Sequence, residues 1–313
     1  MSRLRALFEQ LSDQLRDRWL DNERYRLEVY VVAWLDLLGQ GVRLERWVPP
    51  NERGGTEEAK LKQEAIRSIR NIQLFRDVAR TLARKLSRIQ LTAEQRRELS
   101  PERQRLAKRY MRIQVSCRCF ADSAVLAIPL RRSDQFPPFL SIESMFHQLS
   151  IQMLVGLLAR NPMRGAISIG LCTLFEKGEL YGRALSRARS LEEKANYPRI
   201  VVDEDFLDYL KSWQTAEVPD SEKAFNARFL RSLRACLERD PKDGKLILSY
   251  LGKAFEEPYK KPEQLSSVCV FIRDAISTAS QAGERQLIDK YTYLEEYFKR
   301  HGYWLEPSAK EKT

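Results

Sequence analysis

Two aspartates stand where an apolar chain has little use for them. Asp36 comes near the end of the run Leu27 to Leu38, LEVYVVAWLDLL, which is apolar, β-branched and aromatic and reads as a buried strand closed by Gly39 and Gly41. Asp122 falls in the reversal Phe120, Ala121, Asp122, Ser123 between two further apolar segments, Arg109 to Cys119 and Ala124 to Leu130, which read as a hairpin with an acid at its tip. A carboxylate beside a core is expensive unless it is paired, hydrogen-bonded or bound to a metal. If the first strand lies beside the hairpin, the two carboxylates meet. Hard oxygens so placed suit Mg2+ or Mn2+, whose remaining positions go to substrate phosphates and water. Taken singly, each aspartate reads first as a turn or capping residue, so it is the shared context that points to metal chemistry.

Other chemistry is thinly represented. His147 and His301 are the only histidines and lie far apart, which argues against a histidine metal site or a Ser, His, Asp triad. No G-x-x-x-x-G-K-[ST] run occurs, so the usual P-loop is excluded. Tyr291, Tyr293, Leu294, Tyr297 and Phe298 recur at helical spacing and read as a packing face rather than a base-stacking surface.

The elements that must position the two acids follow a definite order. Arg3 to Asn22 has helical periodicity; Pro49, Pro50, Gly54 and Gly55 mark a loop, and Thr56 to Gln90 is helical. After the hairpin come an apolar helix over Ser141 to Arg160, a strand over Arg164 to Gly170, and a β segment formed by Cys172 to Phe175 with Gly178 to Tyr181. A helix over Ala184 to Lys194 and a strand over Arg199 to Val202 complete this part. The order predicts an α+β fold, a ferredoxin-like βαββαβ core with helices on one face of its sheet. We expect an N-terminal helix over 1–26, a core over 27–215 carrying a helical insertion at about 56–108, and an extension over 216–313 packed on that core. Within the extension, Gly244 to Tyr250 reads as a strand and Leu265 to His301 as helical.

Of the 313 residues 43% are hydrophobic and 31% charged, which excludes a disordered chain. No stretch approaches the roughly 20 apolar residues of a membrane span, and the first 20 positions lack the apolar run of a signal peptide. Five scattered cysteines, of which only Cys117 and Cys119 are close, fit a reduced cytoplasmic setting; side chains two apart on a strand share a face but are poorly placed for a disulfide. The net charge of +11 admits a polyanion partner. The positive residues from Lys60 to Arg109, however, interleave with Glu and alternate with Ile66, Ile69, Ile72 and Val78, the pattern of a solvated helix face, which argues against direct nucleic-acid binding.

With the elements in place, several runs are specific enough to compare. VVAWLDLLGQG resembles the first metal motif of class III nucleotidyl cyclases, CFADSAVLAI the hairpin bearing their second metal Asp, and RGAISIG the next core strand. GELYGRALSRARSLEEKANYPRIVVD resembles the strand, glycine turn, helix and strand that carry the transition-state groups. The wording FADSAV, LYGRAL and ANYPRIVVD, with DGKLILSYL and DKYTYLEEYF, is most similar to the pyrimidine cyclases of bacterial Pycsar anti-phage systems, which make cyclic UMP or cyclic CMP as an alarm signal.

The resemblance implies a homodimeric enzyme that converts UTP or CTP to the 3′,5′-cyclic mononucleotide and pyrophosphate, with a cyclic-nucleotide-sensing effector downstream. It implies that Asp36, Asp122 and the Leu37 carbonyl hold two Mn2+ or Mg2+ ions, while the amides of Leu38, Gly39 and Gln40 face the phosphates. Arg118, four residues before the second metal Asp, and Glu179, three before the glycine of the turn, take the base-reading positions. Where the family carries Asn and Arg, four and eight residues after Gly182, this chain has Ser186 and Ser190. A developing negative charge still wants a cation, and Arg183, Arg187 and Arg189 lie on the same turn and helix; Arg187, beside Ser186, is the preferred substitute. The missing pair keeps a second class open, a catalytically degenerate nucleotide sensor or a basic RNA-associated module.

Overall fold

The computed structural model describes residues 27–39, 56–86, 115–130, 139–174, 179–214, 220–255 and 261–305, with isolated positions between 93 and 105. The expected N-terminal helix, the loop around Pro49, Gln40 and the first part of the segment beginning at Arg109 lie outside the described residues.

The chain is α+β. Strand β1 (Glu28–Leu37) is followed by helix α1 (Thr56–Leu86), the hairpin β2 (Ser116–Phe120) and β3 (Ser123–Pro129), helix α2 (Phe139–Leu158) and strand β4 (Met163–Leu174). β1 pairs antiparallel with both β3 and β4, and β2 with β3, giving the order β2-β3-β1-β4 of a ferredoxin-like βαββαβ unit. β5 (Leu180–Gly182) pairs with the far end of β4; α3 (Arg183–Glu193) and β6 (Ile200–Val202) follow, β6 running parallel to β4. Then come α4 (Glu204–Gln214), α5 (Asp220–Ala235), β7 (Leu237–Arg239) and β8 (Leu246–Leu248), which extend the sheet beyond β6 in the order β8, β7. Helices α6 (Pro262–Gln281) and α7 (Arg285–Arg300) close the described chain, separated at Gly283. Among the described residues no helix is long and apolar enough to cross a membrane.

Alternation along β1 divides its residues between two cores. Val31, Ala33, Leu35 and Leu37 face the larger core, shared with Phe75 and Ala79 of α1, Met145, Phe146 and Leu149 of α2, and apolar residues of α4 to α7. Tyr30 and Val32 face a smaller core with Val125, Ala127, Cys172, Ala184 and Ala188. The expectation of helices on one face is therefore corrected: α3 lies on the opposite face from α1 and α2. The small side chains of Ala184 and Ala188, one turn apart, let α3 approach the sheet closely. Its entry also requires Gly182, where φ is +145° and an added Cβ would stand 2.4 Å from the Leu171 carbonyl oxygen. A second correction concerns β4, which runs unbroken through Cys172 to Leu174 rather than ending at Gly170.

The described residues after α4 are tied to the rest of the sheet by charge as well as by apolar packing. Arg199, fully buried before β6, pairs with Asp240 at 2.5 Å and Asp243 at 2.5 Å, and the Tyr293 hydroxyl of α7 donates to Asp240. Breaking a buried pair strands its partner's charge, so Arg199→Ala should cost about 3–5 kcal/mol in urea denaturation. Burial works to raise the Asp243 carboxyl, but the bonds and charge of Arg199, with help from Lys245, outweigh it and hold it at about 2. A carboxyl depressed in the folded state contributes stability that is full above its unfolded value, about 3.9, and disappears as pH falls through the folded one. The Tm should accordingly fall between pH 4 and pH 2, less so in Asp243→Asn.

Candidate active site

The register places the two acids predicted from sequence at one end of the sheet. Asp36 sits on β1 opposite Ser123 of β3 on one side and Arg164 of β4 on the other. The two-residue connection Ala121 and Asp122 joins β2 to β3, and the Leu37 N–H donates to the Asp122 carbonyl at 3.1 Å, fixing the hairpin tip to the end of β1. Ala121 carries φ +41°, a left-handed conformation that costs an L-residue about 1–2 kcal/mol. Arg76 of α1 offsets that cost by donating from Nε to the Ala121 carbonyl at 3.0 Å.

Burial and three neighbouring groups set the charge on Asp36. Burial raises its carboxyl, the Ser123 hydroxyl donating at 2.8 Å lowers it, the Asp122 carboxylate raises it, and Arg164 at 3.7 Å lowers it; the net direction is upward. The two carboxylates therefore repel across the site, and the ionised pair is incompletely compensated by the protein. Arg164 is shared, since its Nε also stands 2.5 Å from the Glu192 carboxylate at the end of α3. Burial chiefly pushes Glu192 up to about 6, against the pull of Arg164 and with a contribution from Asp36. Two converging carboxylates with an uncompensated repulsion fit a divalent cation of the hard, oxygen-seeking class. Among the described residues no cluster of three or more His, Cys, Asp or Glu forms a metal cage, so any such ion would owe its remaining ligands to backbone, water and substrate.

The other predicted residues divide among the turn after β1, the hairpin strand β2, the approach to β5 and the first half of α3. Leu38 forms the turn after β1, where its N–H is taken by the Pro162 carbonyl at 3.0 Å. That bond takes the Leu38 amide out of the expected phosphate-facing set. Gly39 has φ +82° and open space where a Cβ would be, the conformation that lets backbone approach a phosphate. Arg118 lies half-buried on β2 opposite Val125, and Phe120, two residues on, stacks against Trp34 of β1 at 6.4 Å. Glu179 is exposed just before β5.

On α3, Ser186 and Arg183 are exposed, and Arg183 pairs with Asp205 at 2.7 Å. Arg187 makes a two-pronged bond to Asp203, with Nε and Nη2 each at 2.6 Å. Ser168 of β4 donates to the same carboxylate at 2.7 Å. Burial works to raise Asp203, and the bonds from Arg187 and Ser168 outweigh it, leaving the carboxyl below its ordinary value. The Arg187 side chain is nonetheless 40% exposed while that of Asp203 is 1% exposed, so a buried acid aims a partly open guanidinium. Ser168 lies four residues along β4 from Arg164, about 13 Å at the usual strand rise. Within one chain, then, the Arg187 row and the Asp36 row are separate places on the sheet.

Ser123, Arg164, Glu192, Ser168 and Asp203 were not singled out from sequence. Asp203 offered the same signal as Asp36, an acid closing an apolar strand, IVVD. Ser123 adjoins Asp122 in the hairpin, whereas Glu192 and Arg164 gave no local sign.

No family model matches the chain, and no curated protein matches it. Two solved structures are similar in shape. One is the adenylyl cyclase CyaB from P. aeruginosa, at 11% identity and a TM-score of 0.35 over 60% of this chain and 83% of that one. The other is the catalytic core of a rhodopsin-guanylyl cyclase with converted specificity in complex with ATPαS, at 13% identity and a TM-score of 0.33 over 71% of this chain and 97% of that one.

Proposed function

We propose that the protein is a nucleotidyl cyclase, converting a nucleoside triphosphate to its 3′,5′-cyclic mononucleotide and pyrophosphate. The observation that carries this reading is the convergence of Asp36 and Asp122, drawn together by the Leu37 to Asp122 backbone bond at the end of a βαββαβ sheet. Bound there, Mn2+ or Mg2+ would supply charge neutralisation at the triphosphate and a lowered pKa for the attacking ribose hydroxyl. The chain's own residues do the positioning. Ser123 fixes one oxygen of Asp36, Arg164 balances part of the pair's charge, and the Gly39 turn admits phosphate to the backbone.

The substrate base in this reading is a pyrimidine, UTP or CTP, and the product is an alarm signal in anti-phage defence; the motif wording from FADSAV to ANYPRIVVD supports both. Arg118 and Glu179 are the proposed base-reading residues. Arg187 is the proposed transition-state cation, and the separation of its row from that of Asp36 supports a homodimer in which each site draws its acids from one subunit and Arg187 from the other.

The test is incubation of the purified protein with each of the four nucleoside triphosphates and Mn2+, followed by chromatography. Cyclic UMP or cyclic CMP as the main product is the expected result. A cyclic purine product would overturn the base assignment, and no cyclic product from folded dimer would overturn the cyclase reading. If Arg118 reads the base, Arg118→Ala should narrow the preference for pyrimidine over purine triphosphates by about 1–3 kcal/mol in competition assays.

A further inference from the structure

The face of α3 that packs on the sheet is a stripe of Ala184, Ala188 and Glu192, each one turn from the last and each buried. Two alanines let the helix approach. The third member is a carboxylate only 4% exposed, a costly group in such a stripe unless an opposite charge meets it. That charge is Arg164, the residue directly opposite Asp36 in the pairing of β4 with β1. Cross-strand neighbours share one face of the sheet, so Arg164 stands between two acids, Glu192 on α3 and Asp36 on β1.

The two acids do not share it equally. Glu192 Oε1 lies 2.5 Å from Arg164 Nε, whereas Asp36 Oδ2 lies 3.7 Å from Arg164 Nη2. The nearer contact lacks the alignment of a hydrogen bond, so charge rather than a directed bond holds the guanidinium toward α3. The farther contact is beyond hydrogen-bond reach. The oxygens of Asp36 differ as a result: Oδ1 accepts from Ser123 at 2.8 Å, and Oδ2 faces a guanidinium that stops short of it. An arginine left to Asp36 alone would close the gap to about 2.7–2.9 Å and occupy Oδ2.

We propose that Glu192 is a positioning residue for the metal pair: it draws Arg164 toward α3 and so keeps Asp36 Oδ2 open to a divalent cation. This rests on the reading of Asp36 and Asp122 as metal carboxylates. Glu192 acts through Arg164 and not by coordination, since the guanidinium bridges the space between it and Asp36. A third alanine in the stripe would suit the packing of α3 and would surrender Arg164 to Asp36.

The probe is Mn2+ alone, titrated into metal-free full-length protein and followed by loss of the EPR signal of the free ion. Glu192→Gln keeps the shape of the side chain and removes its charge. Arg164 should then move onto Asp36, and Mn2+ should bind about tenfold more weakly, the usual gap between a charge-assisted contact and a neutral one. Glu192→Gln combined with Arg164→Met removes the competing cation as well, and should bind Mn2+ at least as tightly as the wild type. A merely structural role for Glu192 would not give that recovery, because the second substitution adds to any disturbance of the packing. Wild-type Mn2+ affinity in Glu192→Gln, or a double variant no tighter than Glu192→Gln, would overturn the assignment. Failure of the metal reading itself has a different signature: Asp36→Asn would then bind Mn2+ as the wild type does, and both inferences would fall together.

Discussion

Asp36→Asn and Asp122→Asn should each abolish cyclic product while leaving the protein folded. The metal pair is asked for several kcal/mol of transition-state stabilisation, and at 1.36 kcal/mol per tenfold its loss lowers the rate on the order of a thousandfold or more. The cost to the fold runs the other way. Burial and Asp122 disfavour the ionised form of Asp36, so its carboxyl is raised in the folded state. A raised carboxyl binds its proton more tightly folded than unfolded, so stability falls as pH rises through that value. The amide removes this term at nearly constant shape, and its oxygen can still accept from Ser123. In metal-free buffer at pH 7 the Tm of Asp36→Asn should therefore equal or exceed that of the wild type. Added Mn2+ should raise the Tm of the wild type and not that of either variant, since only a state that binds the ion is stabilised by it. Wild-type turnover in either variant, or an Mn2+ shift that survives both, would refute the assignment.

Arg187 carries the second large effect, and its environment determines how it must be tested. Arg187→Ala removes the proposed cation, for which about 2.7–4 kcal/mol, or 10²–10³ in kcat, is the usual cost of losing one transition-state donor. The same change strands the buried Asp203, leaving it only the Ser168 hydroxyl and the Asp205 N–H. A fall in activity from Arg187→Ala alone would thus mix catalysis with folding. The double variant Arg187→Ala with Asp203→Asn removes both charges together and should recover most of the lost Tm without recovering kcat. Asp203→Asn alone keeps the guanidinium but loses the carboxylate that aims it, which predicts a smaller fall in kcat with KM nearly unchanged. Recovery of kcat in the double variant would assign Arg187 to the fold only.

Part of this arrangement is legible in the sequence alone. Asp36 and Asp122 each interrupt an apolar strand pattern, and because side chains alternate with period two, pairing β1 with β3 necessarily brings the end of one to the start of the other. The order β, α, β, β, α, β likewise gave the sheet, since hydrophobic periodicity changes visibly at each boundary. What stayed hidden depends on distant partners. Arg187 reads on the sequence as one of three arginines between Gly182 and Lys194, and only the return of β6 beside β4 puts Asp203 against it. The stripe of Ala184 and Ala188 implies close packing but carries no information on which face of the sheet α3 covers. Helices α4 and α5 and strand β7 are additions to the elements expected from the sequence, although Asp203 before EDFLDYL has the form of a helix start. The three-residue strands β7 and β8 are too short for alternation to register, and they are held by pairing with each other and with β6.

The proposed sharing of each site between two subunits is tested most directly by mixing two inactive proteins. Asp36→Asn supplies an intact Arg187 helix and no metal pair; the double variant Arg187→Ala with Asp203→Asn supplies the metal pair and no cation. When subunits exchange, one of the two sites in each mixed dimer regains both halves. Mixed in equal amounts and followed by cyclic nucleotide release, the two proteins should recover about a quarter of the wild-type rate, since half the dimers are mixed and each holds one complete site of two. Mixed dimers demonstrated by sedimentation with no recovery of product would contradict the shared site, and an active monomer would contradict it outright.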